Sequence, residues 1–175
     1  MRAALCPRLC YGRSCRMKIR IIAVGRLKEK FYSEAVDEFK KRLSKFCEVE
    51  IIEIADEKAP EKLSAAELCG IKAAEGRRIL EKIAGSDTVI AAELRGKMLS
   101  SVEFAEKLRG FMLDGRSRIT FIIGGSNGLS ADVLARADFK WCFSPLTFSH
   151  QIFRIMLMEQ IYRAFKIING EPYHK

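Results

Sequence analysis

The stretch FIIGGSNGLS, residues 121 to 130, fits several classes of fold and function. It starts as a continuous apolar run, which is typical of a strand covered on both faces. Three glycines then break the run, and Ser130 can cap a following helix. Residues 124 to 128 fit the G-x-S-x-G pattern of a hydrolase nucleophile elbow. They fit equally well a glycine turn that lets a nucleotide-like ligand approach the backbone, so the rest of the chain must decide.

Elements of two types alternate around this stretch. Strand patterns cover residues 18–25, 48–54, 87–94, 118–125 and 139–144, and helical patterns cover 28–46, 61–83, 102–113, 131–137 and 149–168. Ser100 and Glu103 form a capping-box pattern before the third helix, and residues 95–97 (RGK) are expected to turn. Alternation at this spacing predicts an α/β fold with a mostly parallel sheet and helices on both faces.

Three functions suggested by glycine motifs fit the chain poorly. A hydrolase that used Ser126 would need further strand and helix units to place its acid and histidine, and only one predicted strand follows. A dinucleotide fingerprint would lie near the first strand, whereas this loop follows the fourth. Gly96 and Lys97 precede Met98 rather than Ser or Thr, so a phosphate-binding P-loop fails. A tight β-to-α turn without a ligand remains the simple alternative.

A second irregular segment favours a ligand site. SPLTFSHQIFR, residues 144–154, begins at the carboxyl end of the next predicted strand. Ligands of open parallel sheets bind outside the carboxyl ends of the strands. We therefore expect residues 91–96, 124–128 and 143–148 to converge there. Apolar side chains and free backbone groups in such loops suit an adenine ring.

Length and composition place limits on the protein. The 175 residues suit one domain, and no apolar stretch approaches the length of a membrane helix. The formal charge is +9, and without the four arginines of residues 1–16 the chain still has 27 basic and 22 acidic residues. This suggests an anionic partner such as RNA, with a solvated basic surface as the alternative. We expect residues 1–16 to be an extension before a single domain at 17–175, and no cysteine spacing indicates a metal site.

Three longer motifs, taken in order, resemble one family. IIGGSNGLS, SPLTFSHQIFRIMLMEQIYRAFKI and NGEPYHK are similar to the corresponding segments of the SPOUT-class large-subunit rRNA methyltransferase H family, and the similarity runs from Met17 to the last residue. The resemblance implies a deep C-terminal trefoil knot, a homodimer and S-adenosylmethionine as cofactor. It also implies methylation of N3 of a pseudouridine in 23S rRNA, and we expect a cytoplasmic location.

The resemblance assigns cofactor contacts by position. They fall on one residue of the third strand, one glycine and one continuous loop: Ala92, Gly124, Phe143, Ser144, Pro145, Leu146, Thr147 and Phe148. Ala92 stands where leucine is usual, which leaves its side-chain contact open. Ser126 stands where the family often has proline, which favours a turn residue over a nucleophile.

Four residues are candidates for catalysis. Arg154 is expected to stabilise the anion that develops when the imide N3 loses its proton, or to bind a neighbouring phosphate; the alternative is a helix-surface arginine paired with Glu159 or solvent. His150 is a candidate base or positioning group, or else a helix cap. Tyr173 and His174 in the terminal tail suit stacking on an RNA base. The residue that takes the proton stays open.

Two surfaces complete the expectations. Basic residues near the first strand are candidates for RNA phosphate contacts, with a solvated basic face as the alternative: Lys18, Arg26, Lys28 and Lys30. Apolar residues surround most of the last helix, which favours core on one side and a second subunit on the other. A non-catalytic RNA-binding protein of the same fold is the competing class.

Overall fold

The computed structural model describes residues 16 to 57 and 64 to 173. Strands and helices alternate along the whole described chain, as the sequence predicts. In order they are β1 (Met17–Val24), α1 (Lys30–Leu43), β2 (Cys47–Ile54), α2 (Ala65–Leu80), β3 (Thr88–Met98), α3 (Ser101–Leu113), β4 (Arg118–Ile123), α4 (Ala131–Arg136), β5 (Phe139–Cys142) and α5 (His150–Ile168).

The five strands form one sheet in the order β2-β1-β4-β3-β5, and every pair is parallel. Strand β4, which carries the first half of FIIGGSNGLS, lies in the centre, and Ile119 to Ile123 are all buried. This explains why its apolar run is continuous, since helices cover both of its faces. All five carboxyl ends consequently point to the same edge of the sheet.

Apolar side chains fill both faces of the sheet. On one face α1, α3 and α5 pack through a large cluster that includes Leu43, Phe104 and Phe165. On the other face α2 and α4 pack through a smaller cluster that includes Ile79 and Val133. The predicted fold class, an α/β sheet with helices on both faces, is therefore confirmed. The trefoil knot that the resemblance implies stays a prediction.

The turn expected at residues 95–97 is wrong, because β3 continues to Met98. Both Ala92 and Lys97 pair with Trp141 of β5, and the residues between them bulge out of the strand. The backbone of β5 comes so close to β3 that position 96 requires glycine, because a Cβ atom on Gly96 would lie 2.6 Å from the carbonyl carbon of Lys140. Strand β3 thus pairs with β5 on both sides of a bulge at the carboxyl end.

Capping serines set several helix starts. Ser100 and Glu103 form the expected capping box, and Ser130 caps α4. A second capping box, Ser64 with Glu67, starts α2 later than the predicted residue 61; residues 61 to 63 lie outside the described part. Strand β5 ends at Cys142 instead of residue 144, which frees the following residues for a loop.

Two expectations concern parts of the chain beyond the sheet. The expected N-terminal extension covers residues 1 to 16, and residues 1 to 15 lie outside the described part of the chain. In the part that the structure describes, no helix is both long enough and apolar enough to span a membrane.

Candidate active site

A cavity of about 710 Å³ opens at the carboxyl ends of β3, β4 and β5. The three segments that we expected to converge do converge there. Its wall contains every proposed cofactor residue except Pro145: Ala92, Gly124, Phe143, Ser144, Leu146, Thr147 and Phe148. The volume lies within the range of pockets that bind small organic ligands.

The glycine loop after β4 forms the inner wall of this cavity. Gly128 adopts a φ of +79°, a conformation that favours glycine, and its N–H donates to the Gly125 carbonyl at 3.1 Å. A Cβ atom on Gly124 would lie 3.2 Å from the side chain of Leu129. Ser126 is exposed within the turn. The glycines therefore let the backbone of the loop approach the cavity closely.

Aromatic rings build the opposite wall. Phe143 makes edge contacts with Phe148, at 6.5 Å between ring centroids, and with Phe153 of α5, at 5.2 Å. The hydroxyl of Ser144 accepts a hydrogen bond from the N–H of Leu146 at 3.0 Å, which turns the loop. The result is an apolar slot bordered by the glycine loop.

Helix α5 is fastened to the carboxyl end of β1 by a polar cluster that we call the β1–α5 clasp, formed by Val24, Gly25, Glu53, His150 and Arg154. The guanidinium of Arg154 donates from Nη1 to Glu53 Oε1 at 2.6 Å and from Nη2 to the Gly25 carbonyl. His150 Nδ1 lies 2.8 Å from the Val24 carbonyl oxygen. The clasp fixes the first two turns of α5 beside the cavity.

The clasp sets the protonation of His150. A carbonyl oxygen only accepts, so Nδ1 carries the proton and Nε2 keeps a free lone pair. The contact of Nδ1 with Arg154 Nη2 is 3.5 Å, and it brings two donors together rather than forming a second hydrogen bond. Burial, followed by the positive charge of Arg154, lowers the pKa of His150. A neutral imidazole with one free acceptor therefore lines the cavity.

The alternative interpretation of Arg154 as a helix-surface residue is wrong. Its side chain is 0% exposed, and Glu159 pairs with Arg163 instead, at 2.6 Å. Nε of Arg154 has no hydrogen-bond partner among the described atoms, while both terminal nitrogens are engaged. Because its side chain is fully buried, Arg154 would have to move before it could contact an RNA anion. Its role in stabilising the anion stays a prediction, and the geometry favours a positioning role.

The structure does not bring Tyr173 to the cavity of its own chain. Its ring packs edge-on against Tyr162 at 5.0 Å, and the guanidinium of Arg163 lies 4.8 Å from its centroid. Its hydroxyl lies 3.4 Å from Glu159, nine residues along α5 from His150, or about 14 Å at 1.5 Å per residue. His174 lies outside the described residues.

Sequence reasoning missed two members of the clasp. Gly25 has a φ of +89°, and a Cβ atom there would lie 2.2 Å from Cε1 of His150. Glu53 Oε1 accepts a hydrogen bond from Arg154 and a second one, at 3.0 Å, from the N–H of Leu27. A glycine directly after a predicted strand indicates a turn with positive φ, but the residue that Gly25 approaches, His150, lies 125 residues further along the chain. Pairing of Glu53 with Arg154 spans 101 residues.

Other chemistries find no support in the described residues. His150 Nδ1 bonds the Val24 carbonyl, and among the described residues no hydrogen bond joins the imidazole to Ser126, so the pair that a hydrolase requires is not formed in this structure. Within residues 16 to 57 and 64 to 173, no group of three or more His, Cys, Asp or Glu side chains is arranged to hold a metal ion.

Comparison with known proteins identifies the family of this chain. A family model described as "Predicted SPOUT methyltransferase" matches residues 17 to 174, so the chain belongs to the SPOUT methyltransferase family. Two similar proteins, from Clostridium kluyveri and Alkaliphilus oremlandii, are named "Ribosomal RNA large subunit methyltransferase H". They are 55% and 57% identical to this chain over 159 residues, which is 91% of this chain and the full length of each relative.

A solved structure supports the architecture. It is described as "The structure of a probable methylase family protein from Haemophilus influenzae Rd KW20" and superimposes with a TM-score of 0.53. The alignment covers 90% of this chain and 70% of that chain at 14% identity. A similarity at this level of identity shows the fold alone.

Proposed function

We propose that this chain transfers the methyl group of S-adenosylmethionine to N3 of a pseudouridine in 23S rRNA of the large ribosomal subunit. The observation that carries the proposal is the cavity at the carboxyl ends of β3, β4 and β5, in a chain of the SPOUT methyltransferase family. The names of the similar proteins from Clostridium kluyveri and Alkaliphilus oremlandii support ribosomal RNA as the substrate.

The residues of the cavity fit this cofactor. Phe143 and Phe148 offer apolar contact for an adenine ring or a methionine chain, and Leu94 adds to that wall. Gly124, which has no side chain, lets a flat heterocycle come close enough to the backbone of the loop for hydrogen bonds to it. A cofactor bound there supplies an electrophilic methyl group on a sulfonium.

Residues of this chain prepare the nucleophile. The imide N3 of pseudouridine attacks only as its proton leaves, and the free Nε2 of His150 is an acceptor at the cavity wall. The low pKa keeps that acceptor unprotonated at neutral pH. The Val24 carbonyl holds the imidazole in this tautomer, and Arg154 fixes the adjoining end of β1 through Gly25 and Glu53. In-line approach of N3 to the methyl group then depends on positioning, which supplies much of the rate.

A homodimer is part of the proposal. Large apolar side chains around the cavity mouth are exposed in the single chain: Leu94 at 58%, Leu146 at 68%, Phe148 at 36% and Ile152 at 40%. Exposed apolar surface of this kind marks an interaction site. We expect a second copy to cover it, with Tyr173 and His174 of the tail contributing to an RNA site at the subunit boundary in the cytoplasm.

The test is methyl transfer from labelled S-adenosylmethionine to ribosomes that lack the modification, followed by mass spectrometry of digested 23S rRNA. We expect one new methyl group on a pseudouridine. Gly124→Val should abolish it, because the side chain would clash with Leu129 and narrow the cavity. Ser126→Ala should leave transfer intact and serves as the matched loop control.

Other outcomes separate the alternatives. Calorimetry with S-adenosylmethionine measures cofactor binding directly. Ribosome binding without cofactor binding would identify a non-catalytic RNA-binding protein. Loss of a hydrolytic activity in Ser126→Ala would identify a hydrolase.

A further inference from the structure

An aromatic side chain on the first turn of α1 is exposed without a structural reason. Phe31 is 59% exposed, although the helix has a well-defined inner face that buries Val36 and Leu43. Phe31 precedes Val36 by five residues, which at 3.6 residues per turn places it about 140° around the helix from that face. Packing within this chain therefore does not account for the residue.

The ring of Phe31 is nevertheless held in place. Its centroid lies 4.0 Å from that of Tyr32, with the two planes inclined at 42°. Tyr32 is only partly exposed, so it supports the outer ring from behind. The pair offers a firm aromatic surface to solvent.

Three cations lie close to this aromatic pair in the chain, with one acidic residue, Glu29, among them. Arg26, Lys28 and Lys30 are all exposed. Lys30 approaches Glu34 at 3.5 Å while its side chain stays 89% exposed, so it is largely solvated. Within residues 16–57 and 64–173, no carboxylate forms an ion pair with Arg26 or Lys28. We call residues 26 to 32 the 26–32 segment.

The clasp ties the 26–32 segment to the edge of the active site. The N–H of Leu27 donates to Glu53, the partner of Arg154, at 3.0 Å. The N–H of Lys28 donates to Gln151 Oε1 at 2.9 Å, and Gln151 directly follows His150. Phe31 lies three residues beyond Lys28, within about 10 Å of chain. Whatever Phe31 binds is therefore a neighbour of the group that enters the cavity.

We propose that the 26–32 segment is an RNA-binding platform, on which Phe31 stacks against an unpaired base of the substrate RNA close to the methylated nucleotide. Arg26, Lys28 and Lys30 hold the adjoining phosphates. The inference rests on the proposed function, because it takes the substrate of the cavity to be RNA.

The chemistry of the segment matches this occupant. Single-stranded nucleic acids are bound by aromatic rings that stack on bases and by cations that follow the backbone. Recognition of RNA is directed at loops and ends, where unstacked bases are accessible. A partner protein would pair such a ring with apolar surface, whereas the residues next to Phe31 in the chain include three exposed cations.

The experiment measures co-sedimentation of the full chain with unmethylated ribosomes at fixed salt, together with methyl-transfer kinetics. We expect Phe31→Ala to raise Kd and KM for ribosomes about tenfold, since stacking on one base contributes that much or more. The value of kcat, the affinity for S-adenosylmethionine and the thermal midpoint should not change. Phe31→Tyr and Phe31→Trp keep a stacking face and should stay within about threefold of the wild type.

A matched control is available on α3. Leu113 is even more exposed, at 70%, so Leu113→Ala removes an exposed apolar side chain elsewhere and should change neither constant. The proposal is overturned if Phe31→Ala binds ribosomes as the wild type does, or if Phe31→Tyr and Phe31→Trp lose as much as Phe31→Ala. It is also overturned if Phe31→Ala shifts the oligomeric state in sedimentation velocity, which would make Phe31 a subunit contact.

Failure of the proposed function gives a different result. If the wild type binds ribosomes through Phe31 but transfers no methyl group, the platform stands and the reaction is wrong. If the wild type does not bind ribosomes at all, both proposals fall. Each outcome is read from binding and transfer measured on the same samples.

Discussion

The two ends of the same parallel sheet contrast sharply. At the amino end, charged side chains of β1, β2 and β4 surround a hollow of only about 130 Å³. There Arg20 donates to Glu50 at 2.8 Å and to Asp87 at 3.2 Å, and Thr120 donates to Asp87 at 2.8 Å. At the carboxyl end, the cavity is more than five times larger and is lined by apolar side chains, the glycine loop and His150.

The difference shows what each end is for. Acidic and basic side chains at the amino end form ion pairs with one another, so this end of the sheet leaves little space for a ligand. At the carboxyl end, Arg154 and Glu53 satisfy each other, but they do so beside an open cavity and leave His150 with a free acceptor. Only the carboxyl end combines a fixed polar cluster with space for a ligand. Changes at the two ends should therefore affect different properties.

The largest expected effect comes from removing, at each end, the buried partner of a partly buried ion pair. Arg154→Leu leaves Glu53 without its cation and removes the guanidinium from the Gly25 carbonyl, and Asp87→Leu leaves Thr120 without its acceptor and Arg20 without one of its two carboxylates. We expect each variant to lose about 3 to 5 kcal/mol of unfolding free energy, measured by urea denaturation. Methyl transfer, assayed well below each midpoint, should be lost in Arg154→Leu and kept in Asp87→Leu.

This comparison also separates two roles for Arg154. Normal stability with complete loss of transfer in Arg154→Leu would show that the guanidinium acts on RNA, as the sequence suggested, and would contradict the clasp. Loss of transfer in Asp87→Leu at a temperature where that variant is folded would remove the distinction between the two ends.

A smaller effect is expected from a single added methyl group. Gly25→Ala places a Cβ atom 2.2 Å from His150 in a positive-φ conformation, so the imidazole must move. The strain should cost roughly 2 to 4 kcal/mol, and transfer should fall by about a hundredfold if the imidazole is displaced by around 1 Å. Circular dichroism melts and initial rates measure the two effects.

Gly70→Ala is the matched control for this substitution. Gly70 lies inside α2 with no other group within 4 Å of a Cβ atom. Alanine should stabilise that helix by about 0.5 to 1 kcal/mol and leave transfer unchanged. Equal rates in Gly25→Ala and wild type would mean that the orientation of His150 does not matter for the reaction.

The sequence predicts features that depend on local patterns, and it does not predict those that depend on contacts between residues far apart in the chain. The strands were predictable because their apolar runs are local, and the convergence of three loops followed from the parallel order of strands. Burial of Arg154 was not predictable, since arginine is seldom fully buried without a partner and Glu53 is 101 residues away. The bulge at Gly96 depends likewise on β5, which approaches its backbone from another part of the chain.

The smallest and sharpest effect concerns one proton at the carboxyl end. Burial and Arg154 lower the pKa of His150 below its ordinary value of 6.5. The chain has only two histidines, so His174→Gln leaves a single imidazole to follow by nitrogen NMR. We expect the Nδ1–H tautomer at pH 7 and protonation only below pH 6.5. Arg154→Lys keeps a positive charge but loses the planar fork, and it should change the tautomer population more than the pKa.

The same shift has a consequence for stability, and its sign follows from linkage. The pKa of His150 is lower in the folded state than in the unfolded state, so the unfolded chain takes up the proton first as the pH falls. The contribution of the neutral imidazole to the unfolding free energy is therefore complete above pH 6.5. It is lost as the pH falls through that value towards the folded pKa. The wild type should therefore lose unfolding free energy in this window, relative to His150→Gln in the same His174→Gln background. Parallel curves for the two proteins, or a His150 that titrates at or above pH 6.5, would show that the imidazole is solvated and that the clasp does not set its charge.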